Sequence, residues 1–202
     1  MTLPPLSIRL EGERVVLRAP RATDVPQARR LLRRNAEHLR PWSPVPPAGE
    51  DPSSLTEISK AILRQRREWK RGDSFIFYVT DLHNDEAIIG RVALTGVTRG
   101  AFQNAYLGYF IDVDQQRRGL TTEAVALATR FAFDDAQLHR VQAAVMPNND
   151  ASLRVLEKVA FRREGVAERY LQIAGQWETH VLFAVTAEEW AARGRPPAGP
   201  AR

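Results

Sequence analysis

Apolar residues along the 202-residue chain fall into short runs whose period switches between that of a strand and that of a helix. Residues 14–18 (Arg-Val-Val-Leu-Arg) read as a strand stopped by Pro20. Asp24 is placed to cap a helix with Pro26 in its first turn, and Ala28, Leu31, Leu32, Asn35 and Leu39 mark one face of it. That helix breaks at Pro41, and residues 42–52 are a proline-rich loop. Ser53 or Ser54 caps a second helix that carries Ile58, Ile62 and Trp69 and ends near Gly72. Residues 75–80 and 88–97 flank the turn His83-Asn84-Asp85-Glu86 as a hairpin, and residues 104–113 form a further strand. A helix follows over about 122–133, with Ala124, Leu127, Ala128 and Phe131 at helical spacing. Residues 141–145 are a short buried strand, 147–150 a loop and 152–159 a helix. Residues 169–173 and 178–185 make a last hairpin around Ala174-Gly175-Gln176. Residues 1–9 read as an N-terminal tail, 10–190 as one folded domain, and the Gly/Pro/Arg-rich 191–202 as a disordered C-terminal tail.

This order is mixed α/β with one crossover: strand 104–113, helix 122–133, strand 141–145. Two strands joined in that way are parallel, and the loop between the first strand and the helix lies at the strand's carboxyl end. In this chain that loop is Gln116-Arg117-Arg118-Gly119-Leu120-Thr121-Thr122. It points backbone N–H groups into one concavity at the positive end of a helix dipole, the geometry that binds phosphate or pyrophosphate. Gly119 permits a close backbone approach, and Arg117 and Arg118 add positive charge. The spacing is neither Gly-x-x-x-x-Gly-Lys-Ser/Thr nor Gly-x-Gly-x-x-Gly, so this is an anion site of another kind.

Composition narrows the chemistry. The chain is 44% hydrophobic and 26% charged, the balance of an ordinary globular domain. No window approaches the roughly 18 apolar residues of a membrane span, and residues 1–10 lack a signal-peptide layout, so a cytoplasmic protein without a membrane partner is expected. Without cysteine there is no thiolate catalysis and no cysteine zinc site, and His38, His83, His139 and His180 lack metal-ligand spacing; no metal is expected. The net charge is +5, carried mostly by arginine, since Lys60, Lys70 and Lys158 are the only lysines. The basic run 64–71 lies on one helix whose other face holds Ile62 and Trp69; it reads as a solvated face, and direct nucleic-acid recognition is not expected.

Several motifs together resemble one family. Gln116-x-x-Gly119-x-Thr121 and the element order are similar to the GNAT superfamily of N-acetyltransferases. Asn35-x-x-x-Leu39-x-Pro41-Trp42-x-Pro44, Tyr106-Leu107-Gly108-Tyr109 and Leu138-His139-Arg140 resemble its RimJ/RimL branch of ribosomal-protein-alanine N-acetyltransferases. So do Pro147-x-Asn149-x-x-Ser152, Phe161-Arg162-Arg163-Glu164-Gly165 and Gly175-Gln176-Trp177. The resemblance spans roughly residues 10–190 and implies a single GNAT-type domain: a mixed, mostly antiparallel sheet with one parallel β-α-β crossover splayed at an acetyl-CoA site.

The resemblance also implies an acetyl-CoA-dependent acyltransferase, with coenzyme A as product. The N–H groups of Arg117, Arg118, Gly119, Leu120, Thr121 and Thr122 would hold the pyrophosphate, and the edge of Phe110, Ile111 and Val113 would pair with the pantetheine amides. Asn149 and Ser152 are the candidate catalytic side chains: Asn149 as a donor to the pantetheine, Ser152 as a hydrogen-bond partner of the sulfur or a proton relay to it. Helix capping is the competing reading for both. Trp42, Tyr106, Tyr109 and Trp177 would wall the acceptor slot, although Tyr106 and Tyr109 face opposite sides of a regular strand unless a bulge intervenes at Gly108. Asn35 and His38 are weaker acceptor-side candidates, and Asp112 and Asp114 read as solvated turn residues. Glu123 reads as answering the helix dipole or pairing with Arg117 rather than as a base.

Two departures from the family pattern stand out. Thr121 replaces the usual Gly or Ala, and Leu156 occupies the position of the family's tyrosine acid, which excludes a tyrosine acid there. The expected acceptor is a protein or peptide N-terminus beginning with Ala or Ser, such as that of a ribosomal protein. A small-molecule amine and a catalytically silent acyl-CoA-binding module are the alternatives, and an oligomer is left open.

Overall fold

A computed structural model describes residues 3–193. Its centre is an eight-stranded sheet. The strands are β1 (Arg9–Glu11), β2 (Val15–Arg18), β3 (Phe75–Asp81), β4 (Asn84–Thr98), β5 (Asn104–Ile111), β6 (Arg140–Val145), β7 (Arg162–Ile173) and β8 (Gln176–Thr186), in the order β1-β2-β3-β4-β5-β6-β8-β7. Only β5 and β6 run parallel; every other neighbouring pair is antiparallel. The helices are α1 (Val25–Leu39), α2 (Leu55–Arg71), α3 (Leu120–Asp134), α4 (Asp150–Lys158) and α5 (Ala187–Ala192). This is the mixed sheet with one crossover that the chain's periodicity implies.

The two faces of the sheet carry separate cores. On one, α3 and α4 cover β1 to β6, and Phe75, Phe77, Val92, Leu107, Phe131, Leu156 and Phe183 are buried together. On the other, Ala28 and Leu31 of α1 and Ile58 and Ile62 of α2 pack on Tyr78 and Ile88. Trp69, at the end of α2, reaches round into the first core. Its ring meets Phe75 and Phe77 edge-on at 5.2 and 4.9 Å, and its Nε1 donates to the Pro4 carbonyl at 2.8 Å. Burial of these rings is the dominant stabilisation and fixes α3 against β2 to β5.

Helix ends follow the sequence with one exception. Ser54 accepts from the Glu57 N–H at 3.2 Å, and Gly72 closes α2 at φ 76°. Asp24 precedes α1, but its side chain does not cap it. Both carboxylate oxygens turn inward to the buried Arg18 guanidinium at 2.8 and 2.9 Å, and one also accepts from the Arg21 N–H. A buried cation outcompetes an N–H that water can serve.

The tails need correction. Arg9 opens β1 and Pro4 is buried, so the ordered chain begins before residue 10. Ala191 and Ala192 belong to α5, which starts with a reciprocal cap between Thr186 and Glu189 and is anchored by the buried Trp190. Residues 194–202 of the expected tail lie outside the described residues. The last hairpin is also longer than its apolar pattern, because β7 is an edge strand with polar residues over most of its length.

Candidate active site

β5 and β6 pair only over Asn104–Arg140, Ala105–Val141 and Tyr106–Gln142. Beyond Tyr106 they part, and β5 continues to Ile111 with a partner on its β4 side alone. The Asp112 N–H donates to the Ile89 carbonyl of β4, while the Gln103 carbonyl accepts from Arg140 at the start of β6. Backbone groups alternate sides along a strand, so the open edge is offered by Leu107, Tyr109 and Ile111. Ile111 therefore lies on the edge expected of it. Phe110 does not, since its backbone faces β4, and its ring packs toward α1 and α2 with the Arg91 guanidinium 5.8 Å above it. The Val113 N–H is also committed, donating to Asn35 Oδ1 at 2.8 Å.

Asn35 is thus a buried strut rather than an acceptor contact. Its Nδ2 donates to Leu31 O at 2.8 Å, so one side chain ties α1 to the strand end that feeds the loop. Asp112 departs from the solvated-turn reading in the same way: it is 2% exposed, accepts from the Asp114 N–H, and pairs with Arg34 at 3.1 Å. His38 accepts from the Gln116 amide at 2.7 Å, a third tie from α1 to the loop.

The loop itself forms the head of α3, where the phosphate-binding cup is expected. Arg117 and Gly119 have left-handed backbones at φ 59° and 77°, and Gly119 is the residue before the first turn of α3. The N–H groups of Leu120, Thr121 and Thr122 have no acceptor within the helix and point out of its N-terminal end. Arg117, Arg118 and Gly119 are exposed. Arg118 also hydrogen-bonds Gln115, which steadies the turn. Glu123 is accounted for structurally: its carboxylate accepts from the N–H of Arg14 at 2.8 Å and from Arg14 Nε at 2.9 Å, not from Arg117. Arg14 in turn donates to the Arg118 carbonyl at 2.7 Å, so the β1–β2 turn braces the loop from behind.

Asn149 and Ser152 sit across the gap, at the start of α4. Asn149 Oδ1 accepts from the Ser152 N–H at 3.1 Å, which is a helix cap, and its Nδ2 is the group left for a ligand. The Tyr109 hydroxyl, from the open edge of β5, donates to the Ser152 carbonyl at 3.1 Å. Tyr109 therefore spans the splay instead of lining the acceptor side, and burial pushes its phenol well above the usual range. Leu156 is fully buried among core residues.

Of the expected acceptor walls, β5 has no bulge at Gly108, so Tyr106 faces the α1/α2 side and is 42% exposed. Trp42 ends a short turn at the head of the proline-rich loop, and that loop is pinned to the last hairpin by the Ala174 N–H donating to Ser43 O at 2.9 Å. Trp177 is at the hairpin tip, 62% exposed, but alternation puts it on the face of Val181 and Phe183, opposite Tyr106. The sequence reading missed Tyr170 and His180, whose rings lie 5.8 Å apart on the last hairpin. It also missed a cavity of about 490 Å³ that runs from Gly119 along the outer face of α3, past Arg130 and Lys158, to Trp190 and Arg193 of the C-terminal segment.

Residues 14–162 match the acetyltransferase (GNAT) domain. The chain belongs to the acetyltransferase (GNAT) family. Acetyl transfer to an amine from acetyl-CoA is that family's chemistry, and this acetyltransferase has its splayed strand pair and its loop at the head of α3. It is 33% identical over 183 residues to the [ribosomal protein uS5]-alanine N-acetyltransferase of Escherichia coli (strain K12), covering 91% of this chain and 93% of that protein. Its structure is similar to that of a ribosomal-protein-S5-alanine acetyltransferase from Vibrio fischeri, with a TM-score of 0.84, 30% identity, and 91% and 98% of the two chains covered. It is similar also to Mycobacterium smegmatis RimJ in complex with CoA-disulfide, with a TM-score of 0.80, 32% identity and 90% of each chain covered. No helix among the described residues is long and apolar enough to cross a membrane.

Proposed function

We propose that this acetyltransferase modifies the N-terminal amine of a protein, with Ala or Ser as the first residue and a ribosomal protein as the substrate class. The observation that carries this reading is the open acceptor side. Tyr106 beside the splay, Val45 of the proline-rich loop and Leu171 near the hairpin tip are 42%, 64% and 42% exposed, which leaves room for a chain rather than enclosing a small amine. The relatives named as ribosomal-protein-alanine acetyltransferases support the substrate class.

In the same reading, the N–H groups of residues 117–122 hold the pyrophosphate, and the basic cavity beyond Gly119 takes the nucleotide end. The pantetheine lies along Leu107, Tyr109 and Ile111 as an added strand, with Asn149 Nδ2 donating to one of its carbonyls. A free edge N–H facing the thioester oxygen stabilises the developing oxyanion. Ser152, beside the Tyr109 hydroxyl, supplies a proton path to the leaving sulfur.

The test is thiol release from acetyl-CoA with peptides beginning Ala or Ser, against the same peptides N-terminally blocked and against polyamines and amino acids. Release with the free peptides alone is expected. Release with the small amines alone would overturn the reading, and cofactor binding without release from any amine would favour a silent module. Ser152→Ala is expected to lower kcat while leaving the acetyl-CoA KM within about twofold. A change confined to KM would make Ser152 a clamp.

A further inference from the structure

The acceptor side of the splay holds a buried histidine with a fixed tautomer. His180 is 3% exposed, and its Nδ1 lies 2.9 Å from the Glu178 carbonyl oxygen. A carbonyl only accepts, so Nδ1 carries the proton and donates. In the neutral form of such a ring the lone pair is on Nε2, which has no hydrogen-bond partner among the described residues.

Position puts the ring on the side of the sheet that the proposed reading gives to the acceptor. The last β6–β8 pair is Val145–Val181, so His180 stands one residue beyond the end of β6, at the mouth of the splay. Val181 and Phe183 point into the α3/α4 core, and alternation sends His180 to the opposite face, shared with Tyr106 and Gly108 of β5. That face is hollow at Gly108: a Cβ built there would meet no atom within 4 Å. In the reading proposed above the acetyl donor enters from the α3/α4 face and the amine from this one, so a nucleophile entering over Gly108 would arrive on the side of the sheet that His180 occupies. The titratable groups near His180 are Tyr170 of β7, 5.8 Å from its ring, and Glu178, two positions earlier on its own strand; Tyr106 of β5 is near enough to act on the Tyr170 phenol. Burial, helped by the Tyr106 phenol, pushes the Tyr170 phenol up, which keeps it a neutral neighbour.

We propose that His180 Nε2 is the general base of the transfer; this rests on the amine-acetylating reading above. The acceptor ammonium gives one proton to Nε2. The freed amine nitrogen attacks the thioester carbonyl carbon, forming the N–C bond. Collapse breaks the C–S bond, the second amine proton ends on sulfur to give the thiol, and the imidazolium returns its proton to solvent. The reaction balances as ammonium plus thioester giving amide, thiol and one proton.

His180→Asn is the discriminating variant, because its amide nitrogen can replace Nδ1 on the Glu178 carbonyl while nothing replaces Nε2. It is expected to bind acetyl-CoA like the parent by calorimetry, to keep the KM for acetyl-CoA, and to lose kcat by about 10²–10⁴-fold. Its residual activity should follow ionisation of the amine itself, roughly pH 8 for a terminal amine. Unchanged turnover in a folded variant would overturn the proposal. A second measurement needs no variant: the acid limb of kcat/KM is recorded for peptides whose amines differ in pKa. A limb that stays in place supports an enzyme base, and one that tracks the amine refutes it. If the parent acetylates no amine at all, the reading of function has failed, and that failure is separate from the assignment of His180.

Discussion

Replacing Gly119 by glutamate is expected to weaken acetyl-CoA binding by about 100-fold or more, because it sets a carboxylate at the head of α3, beside Arg14, where the proposed reading puts the pyrophosphate. Gly119 holds φ 77° at the head of α3, where the first-turn N–H groups converge. The steric demand on the protein is mild. A Cβ would sit 3.2 Å from Arg14 Nη2, the far end of a side chain that is half exposed and can yield. The left-handed backbone itself costs a non-glycine residue roughly 1–2 kcal/mol, which a domain of this size tolerates. Gly119→Ala carries that strain without the charge. The pair therefore separates conformation from electrostatics: alanine should cost a few-fold in affinity, glutamate nearly all of it, with similar melting temperatures. Calorimetric titration with acetyl-CoA reads the difference. Glutamate within about threefold of the parent would mean that the diphosphate is held elsewhere.

That loop was legible because its signal is local. An apolar strand, a glycine flanked by basic residues and a helix-periodic run all fall within residues 104–133, and the crossover between β5 and β6 follows from their order. Ser54 and Gly72 were legible for the same reason, since a cap and a left-handed stop depend on the next few residues. Asp24, Asn35 and Asp112 were misread because their partners are distant in sequence or hidden by burial. Asn35 reaches the Val113 N–H 78 positions away, and Asp112 looks like a turn carboxylate until Arg34 is seen beside it. Phe110 shows a subtler loss. Its membership of β5 is plain from composition, yet which side its backbone faces is set by the pairing with β4.

The last hairpin hides most from sequence. Along β7 the pattern lacks a buried stripe, so only its distal part reads as strand. The sheet order then places β8, not β7, beside β6, and this brings His180 to the splay. No spacing in the chain announces that histidine, because its ring neighbour Tyr170 comes from another strand and the end of β6 beside it from a third. The cavity along α3 is built by the β1–β2 turn, α3, the end of α4 and α5, none of them adjacent in sequence.

The largest loss of stability is expected from Asp24→Ala. Arg18 and Asp24 are 3% and 4% exposed, and two hydrogen bonds of 2.8 and 2.9 Å join them fork to fork. Alanine leaves the guanidinium buried with only longer contacts, to Asp85 Oδ1 at 3.4 Å and to the Asp85 and Ala19 carbonyls at 3.3 and 3.4 Å, and also frees the Arg21 N–H. Removing one partner of a buried ion pair costs about 3–5 kcal/mol, because the surviving charge is stranded rather than because the pair itself is strong. For a chain of this length that lowers the melting temperature by on the order of 10 °C. The same reasoning makes the double change Arg18→Met with Asp24→Leu milder than Asp24→Ala alone, since it frees the Arg21 N–H but strands no buried charge. The consequence extends to the site. Asp24 fixes the head of α1, and α1 delivers Arg34, Asn35 and His38 to the strand end and loop that form the cup. Asp24→Ala should therefore weaken acetyl-CoA binding as well, and saturating acetyl-CoA should restore part of the lost melting temperature. Denaturant unfolding with and without acetyl-CoA measures both. A loss below about 1 kcal/mol would place the Arg18–Asp24 pair with ordinary surface bridges and remove α1 anchoring from the account of the loop.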